Sequence, residues 1–170
     1  LVENLPNVQP DPLGLTDSIL QRPTVVVVVD GVKGEICVVS PVWVADGQSA
    51  RAAYAQAAER VSDALRNLDR PAPTAVFDLA TIETADPVSN TSHARYMEIV
   101  AKAKEYIAAG DIFQVVPSQR WSMPFSLPPF ALYRALRRTN PSPYMFYFNF
   151  GGFQIIGASP EILVSVANRR

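Results

Sequence analysis

Residues 25–29 are five consecutive valines with no polar residue among them. A β-branched run without alternation predicts a strand buried on both faces. Asp30-Gly31-Val32-Lys33-Gly34 reads as a turn and residues 35–40 as a second strand, so the pair is expected to form a hairpin. Ser49 stands where a helix N-cap would, and Ala50, Tyr54, Ala57, Val61, Leu65 and Leu68 follow at helical spacing. A second helix is predicted over residues 92–109. Tyr96, Val100, Ala103 and Ile107 share one of its faces, Glu98 precedes Lys102 by one turn, and Gly110 is suited to end it. Residues 112–121 are strand-like, but Pro117 donates nothing to a ladder, which predicts a bulged or edge strand. Pro128-Pro129 opens a short helix with Phe130, Tyr133 and Leu136 on one side. Three further strands are read over 144–150, 153–158 and 161–166, the first two joined at Gly151-Gly152.

Helices and strands interleave in this pattern, so the fold class is mixed α/β (α+β). Residues 1–23 are rich in proline, asparagine and aspartate and read as a loop. Residues 69–91 carry prolines and no clear period, and are read as a linker between a first domain (1–68) and a second (92–170). A strand over 161–166 with no later partner would leave an open apolar edge, so the fold is expected to continue in sequence beyond these residues. The first residue is Leu1 rather than methionine, which suggests that the gene product starts earlier.

Composition narrows the functional classes. A net charge of −1 over 170 residues supplies no field for nucleic acid or an anionic membrane. No stretch reaches the length of apolar residues needed to span a bilayer. The single Cys37 excludes internal disulfides and cysteine metal clusters, suits a reducing cytoplasm, and is expected in the core. His93, the one histidine, is read as a surface or capping residue near a helix start. Arg134, Arg137 and Arg138 are read as the solvated face of a helix. No Gly-rich phosphate loop, nucleophile elbow or His/Cys metal spacing occurs.

Longer motifs carry more. Tyr106-Ile107-Ala108-Ala109-Gly110-Asp111-Ile112-Phe113-Gln114-Val115-Val116 is followed by Ser118-Gln119-Arg120. Leu127-Pro128-Pro129-Phe130-Ala131-Leu132-Tyr133-Arg134, Asn140-Pro141-Ser142-Pro143-Tyr144-Met145-Phe146-Tyr147 and Gly157-Ala158-Ser159-Pro160-Glu161 come next, in that order. Together they resemble the anthranilate synthase component I family, the large chorismate-binding subunits. Asn4-Leu5-Pro6 and Asp11-Pro12-Leu13-Gly14-Leu15 are similar to the end of the N-terminal domain of those subunits.

The resemblance implies a subunit considerably longer than this chain, with stacked, mostly antiparallel β-sheets and helices outside. It implies conversion of chorismate to anthranilate and pyruvate, with ammonia supplied by a glutamine amidotransferase subunit (component II). It also implies a magnesium ion on the substrate carboxylate, whose ligands would lie downstream of Arg170, and feedback inhibition by tryptophan. The isolated chain is accordingly expected to be inactive.

Two stretches here would take part. Glu161 corresponds to the acid that protonates the departing 4-hydroxyl; hydroxide is a poor leaving group, so a positioned carboxylic acid suits the step. Pro160 would stiffen its approach. The plainer reading is that Glu161 starts a strand. Asn140, Pro141, Ser142, Pro143, Tyr144, Met145 and Phe146 resemble one wall of the tryptophan site, where flat rings and an adaptable thioether suit an indole. The plainer reading there is a helix stop before a core strand. Aminodeoxychorismate and isochorismate synthases share Ser-Pro-Glu but seldom the longer Asn-Pro-Ser-Pro-Tyr-Met-Phe-Tyr. A non-catalytic tryptophan-sensing or subunit-docking fragment is the alternative from a different class.

Overall fold

The computed structural model describes residues 10–72, 85–162 and 164–167. Their elements run β1 (Val26–Asp30), β2 (Glu35–Val39), α1 (Ala50–Leu68), β3 (Val88–Ser89), α2 (His93–Ala109), β4 (Trp121–Ser122), α3 (Pro129–Thr139), β5 (Tyr144–Asn149) and β6 (Gln154–Ser159). The strands pair as three antiparallel two-stranded sheets, β1–β2, β3–β4 and β5–β6. The chain divides into two compact units, Leu1–Thr74 and Ala75–Arg170. Of the segment read as a linker, residues 73–84 lie outside the described residues, and 85–91 contain β3. Residues 1–9 of the expected opening loop also lie outside them.

In the first unit, β1 and β2 pair from Val26↔Val39 to Asp30↔Glu35. The Asp30 carboxylate closes the turn by accepting from the backbone N–H of Val32 and Lys33, each at 3.0 Å. Gly34 sits at φ +70°, a left-handed conformation that an L side chain rarely adopts. Ser49 caps α1 by accepting from the Ala52 N–H at 3.2 Å. Arg60 of α1 ties the helix to the end of β2, donating through Nε to Ser40 Oγ at 2.9 Å and through Nη2 to the Pro41 carbonyl at 3.2 Å. Ser40 Oγ in turn donates to the Thr24 carbonyl.

Three expectations for this unit are corrected. The valine strand is not buried on both faces: Val28 is half exposed and Val29 70% exposed, because α1 packs against β2 and no described element covers β1. Cys37 lies on β2 and is nevertheless exposed. The inner face of α1 agrees with the one expected at Ala57 and half-buried Val61 and departs from it at Tyr54, Leu65 and Leu68. Ala53 and Ala57 are buried at 2% and 4% exposure, whereas Tyr54 is 67% exposed and Leu65 and Leu68 are about half exposed. Alanines let a helix approach a strand more closely than Tyr54 could.

In the second unit, α2 begins at the N-cap Ser92, whose hydroxyl accepts from the Arg95 N–H, and ends at Gly110 with φ +81°. The expected Glu98–Lys102 pair does not form. Glu98 takes Arg95 at 2.9 Å and Lys102 takes Glu105 at 2.7 Å, both three residues apart. The hydrogen bond to Glu105, with its charge, raises the Lys102 pKa above the ordinary value of 10.5.

The strand expected over 112–121 reduces to Trp121–Ser122. The Arg120 backbone bonds outward instead, its N–H to Asn90 Oδ1 at 2.9 Å and its carbonyl to the Asn90 N–H at 3.0 Å. The strand expected over 161–166 is also absent among the described residues. Pro160 interrupts the chain after β6, and no described strand lies beside 161–166 to supply a ladder.

Candidate functional site

The stretches singled out by sequence meet at one end of the β5–β6 hairpin. Helix α3 starts at Pro128-Pro129, with Pro129 in the first turn where its missing N–H costs nothing. It stops at Asn140, whose N–H still reaches the Leu136 carbonyl at 2.8 Å while its φ of −142° leaves the helix. Pro141 could not continue the helix. Four residues later the chain is in β5, so 140–143 form the turn that feeds the hairpin.

The hairpin pairs Tyr144↔Ser159, Met145↔Ala158, Phe146↔Gly157 and Tyr147↔Ile156, running to Asn149↔Gln154 beside the Gly151-Gly152 turn. Alternation then splits residues 144–146 between two faces. Met145 shares a face with Tyr147, and the Tyr147 ring meets α3 edge-on through Phe130 at 5.2 Å and through Tyr133 at 6.2 Å. Tyr144 and Phe146 share the opposite face, where Phe146 stacks on Phe148 at 5.1 Å. A flat ligand lying on one face would therefore reach either Met145 or the Tyr144–Phe146 pair.

Gly157 belongs to the second face, directly under Phe146. A Cβ there would collide with the Phe146 ring, so any side chain at that position forces the ring to move. Gly157→Ala is expected to lower stability by about 1–3 kcal/mol, the usual cost of overpacking. Urea unfolding reads it, and Phe146→Leu in the same variant should recover part of the loss. An unchanged midpoint for Gly157→Ala would mean that the ring swings aside at no cost.

Glu161 lies just past β6, at the same end of the hairpin as the 140–143 turn, and is exposed. Two serines connect the segments. Ser142 Oγ accepts from the Tyr144 N–H at 3.2 Å and donates to the Ser159 carbonyl. Ser159 Oγ donates to the Glu161 carbonyl at 3.0 Å. Sequence reasoning placed Ser142 in a wall of the tryptophan site and gave Ser159 no role beyond its place in a motif. A signal was available, since Ser142 stands two residues before β5 and Ser159 ends β6, places where short hydroxyls bond to nearby backbone.

Elsewhere in this unit, the Ser118-Gln119-Arg120 motif is fastened to residues 89–91. Gln119 Nε2 donates to Ser89 Oγ at 2.6 Å, beside the Asn90–Arg120 backbone bonds. Ser89, Thr91, Ser92, His93, Tyr96, Gln119 and Trp121 line a cleft of about 340 Å³. His93 is the first residue of α2 and exposed, as expected of a surface or capping position. Arg134, Arg137 and Arg138 are exposed on α3.

Comparison with known proteins gives this hairpin a context. A family model described as "chorismate binding enzyme" matches residues 3–170. The chain belongs to the chorismate-binding enzyme family. Over 170 residues it is 65% identical to anthranilate synthase component 1 of Cereibacter sphaeroides, covering 99% of this chain and 34% of that protein. The corresponding protein of Pseudomonas putida is 44% identical over 160 residues, covering 92% of this chain and 32% of the relative. Among solved structures, anthranilate synthase component I from Streptococcus pneumoniae TIGR4 superposes with a TM-score of 0.63 at 36% identity, covering 84% of this chain and 31% of that one. The chain thus spans about a third of the length of the curated relatives it matches. The small antiparallel sheets and helices described above are the family's fold over that span.

Proposed function

We propose that the full-length protein carrying this sequence is the large subunit of an anthranilate synthase. In this reading it converts chorismate to anthranilate and pyruvate with ammonia from a glutamine amidotransferase subunit, in the cytoplasm, under feedback control by tryptophan. The observation that carries it is 65% identity over 99% of this chain to a component 1. Residues 1–68 would close an N-terminal domain, 69–91 link it onward, and 92–170 open the chorismate-binding domain.

Glu161 would act as the acid that gives its proton to the 4-hydroxyl, so that the group departs as water rather than hydroxide. Ser159, bonded to the Glu161 carbonyl, restricts where that residue's backbone can sit. Among the described residues no three His, Cys, Asp or Glu side chains gather into a cation site. The magnesium ion that the family resemblance implies would be held by other parts of the full-length subunit, and no step assigned to Glu161 runs through it. The test is anthranilate fluorescence from the full-length subunit supplied with chorismate, magnesium and ammonia, and from its complex with the amidotransferase supplied with glutamine. A subunit that consumes chorismate without releasing anthranilate belongs to another branch of the family.

The regulatory half of the reading has its own variant. Met145 is half-buried on the α3 side of β5, opposite Ala158. In the full-length subunit, Met145→Thr removes apolar contact from an indole, costing about 1–2 kcal/mol of ligand affinity. The tryptophan concentration for half inhibition should rise roughly tenfold, with uninhibited kcat preserved. Threonine suits a strand, so β5 should tolerate it. An unchanged inhibition curve would make this stretch ordinary core.

A further inference from the structure

We propose that Ser142 is a positioning residue for Glu161, and the link through which an occupant of the 140–146 stretch alters catalysis. The proposal rests on the reading of Glu161 and of that stretch given above. Its ground is the hydrogen-bond sequence at the open end of the hairpin: Tyr144 N–H to Ser142 Oγ, Ser142 Oγ to the Ser159 carbonyl, and Ser159 Oγ to the Glu161 carbonyl. A ladder alone would not hold this end. Tyr144↔Ser159 is the last pair, Pro143 precedes it and Pro160 follows it, and neither proline has an N–H to extend the pairing.

The Ser142 hydroxyl therefore supplies a closing bond that the backbone cannot. It is half-buried and spans seventeen residues in sequence, so it fixes the separation of the two turns. Any ligand that shifts 140–143 must move Ser142, and with it the Ser159 carbonyl and the start of the Pro160-Glu161 segment. The sensing segment and the acid are then a single hydrogen-bonded unit, and no relay through the rest of the subunit is required.

The experiment uses the full-length subunit. Ser142→Ala is expected to lower kcat about three- to tenfold, the effect of one net hydrogen bond on carboxyl placement, with KM for chorismate unchanged. Ser142→Thr keeps the hydroxyl and should restore kcat. In Ser142→Ala, calorimetry should still read tryptophan binding, yet saturating tryptophan should leave a larger residual activity than in the unaltered subunit. Ser159→Ala, which breaks the second bond without touching the first turn, should lower kcat in the same range. A Ser142→Ala subunit with unaltered kcat and unaltered maximal inhibition overturns the proposal, as does a kcat loss that Ser142→Thr fails to restore. If Ser142→Ala does not fold, Ser159→Ala decides, and full activity in it overturns the link. Failure of the underlying reading looks different. Glu161→Gln at full activity, or no tryptophan binding by the unaltered subunit, removes the acid or the ligand itself and takes the proposal with it.

Discussion

In the full-length subunit, Glu161→Gln is expected to lower kcat by roughly 10²–10⁴-fold, about 3–5 kcal/mol of barrier, with little change in KM. The amide keeps the side chain's shape and length but has no labile proton for a departing hydroxyl. Loss confined to kcat is the mark of an interaction made in the transition state and not in the ground state. Glu161 is in a suitable place for this role, exposed just beyond β6 with its backbone held by Ser159. Glu161→Asp keeps the acid and retracts it by one methylene, so it should fall between the two. Steady-state anthranilate fluorescence decides the matter. A Glu161→Gln subunit within a few-fold of the unaltered rate would leave Glu161 as a residue that only shapes the end of the hairpin.

The 170-residue chain by itself should release no anthranilate above background, even with ammonia and magnesium. A lone general acid accounts for about 10²–10⁴ of rate, far below what the full reaction needs. The packing points the same way. Among the described residues the buried side chains are Ala53 and Ala57, and the valines of β1 lie open. Each sheet has two strands, and an isolated hairpin is marginal in water. The isolated chain should therefore unfold over a broad range and bind a hydrophobic dye, while the full-length subunit unfolds cooperatively. A sharp calorimetric transition together with measurable anthranilate from the 170 residues would refute this.

Local signals in the sequence were read well where the deciding interaction is local. Ser49 caps the helix expected of it, Gly110 ends α2 in the left-handed conformation, and the Gly151-Gly152 turn joins the expected hairpin. Signals that depend on distant partners were read less well. Five valines dictate a strand but say nothing of what lies on it, and β1 is uncovered. Residues 112–120 have strand-like side chains, but the Arg120 backbone is bonded to Asn90, a partner that no period in that segment encodes. The α1 face was right at Ala57 and Val61 but wrong at Tyr54, because a large residue was weighted over Ala53, whose small size permits the approach. For the candidate site, motif order located Glu161 and the 140–146 stretch. The register that brings them to one end of a hairpin, and the two hydroxyls between them, required the paired backbone.

The pairing of β3 with β4 also bears on how this unit assembles. Gln119 and Ser89 stand thirty residues apart, and their contact closes a loop whose entropic cost must be met before it contributes stability. Most of that loop is α2, and a helix rises about 1.5 Å per residue, less than half the reach of extended chain. Helices form in about a microsecond or less, so α2 can draw the loop ends together before β3 and β4 meet. The β5–β6 hairpin, with its short turn, needs no such preparation. The Ser-Gln-Arg segment is then ordered late, and its arrival is timed by the helix between its partners.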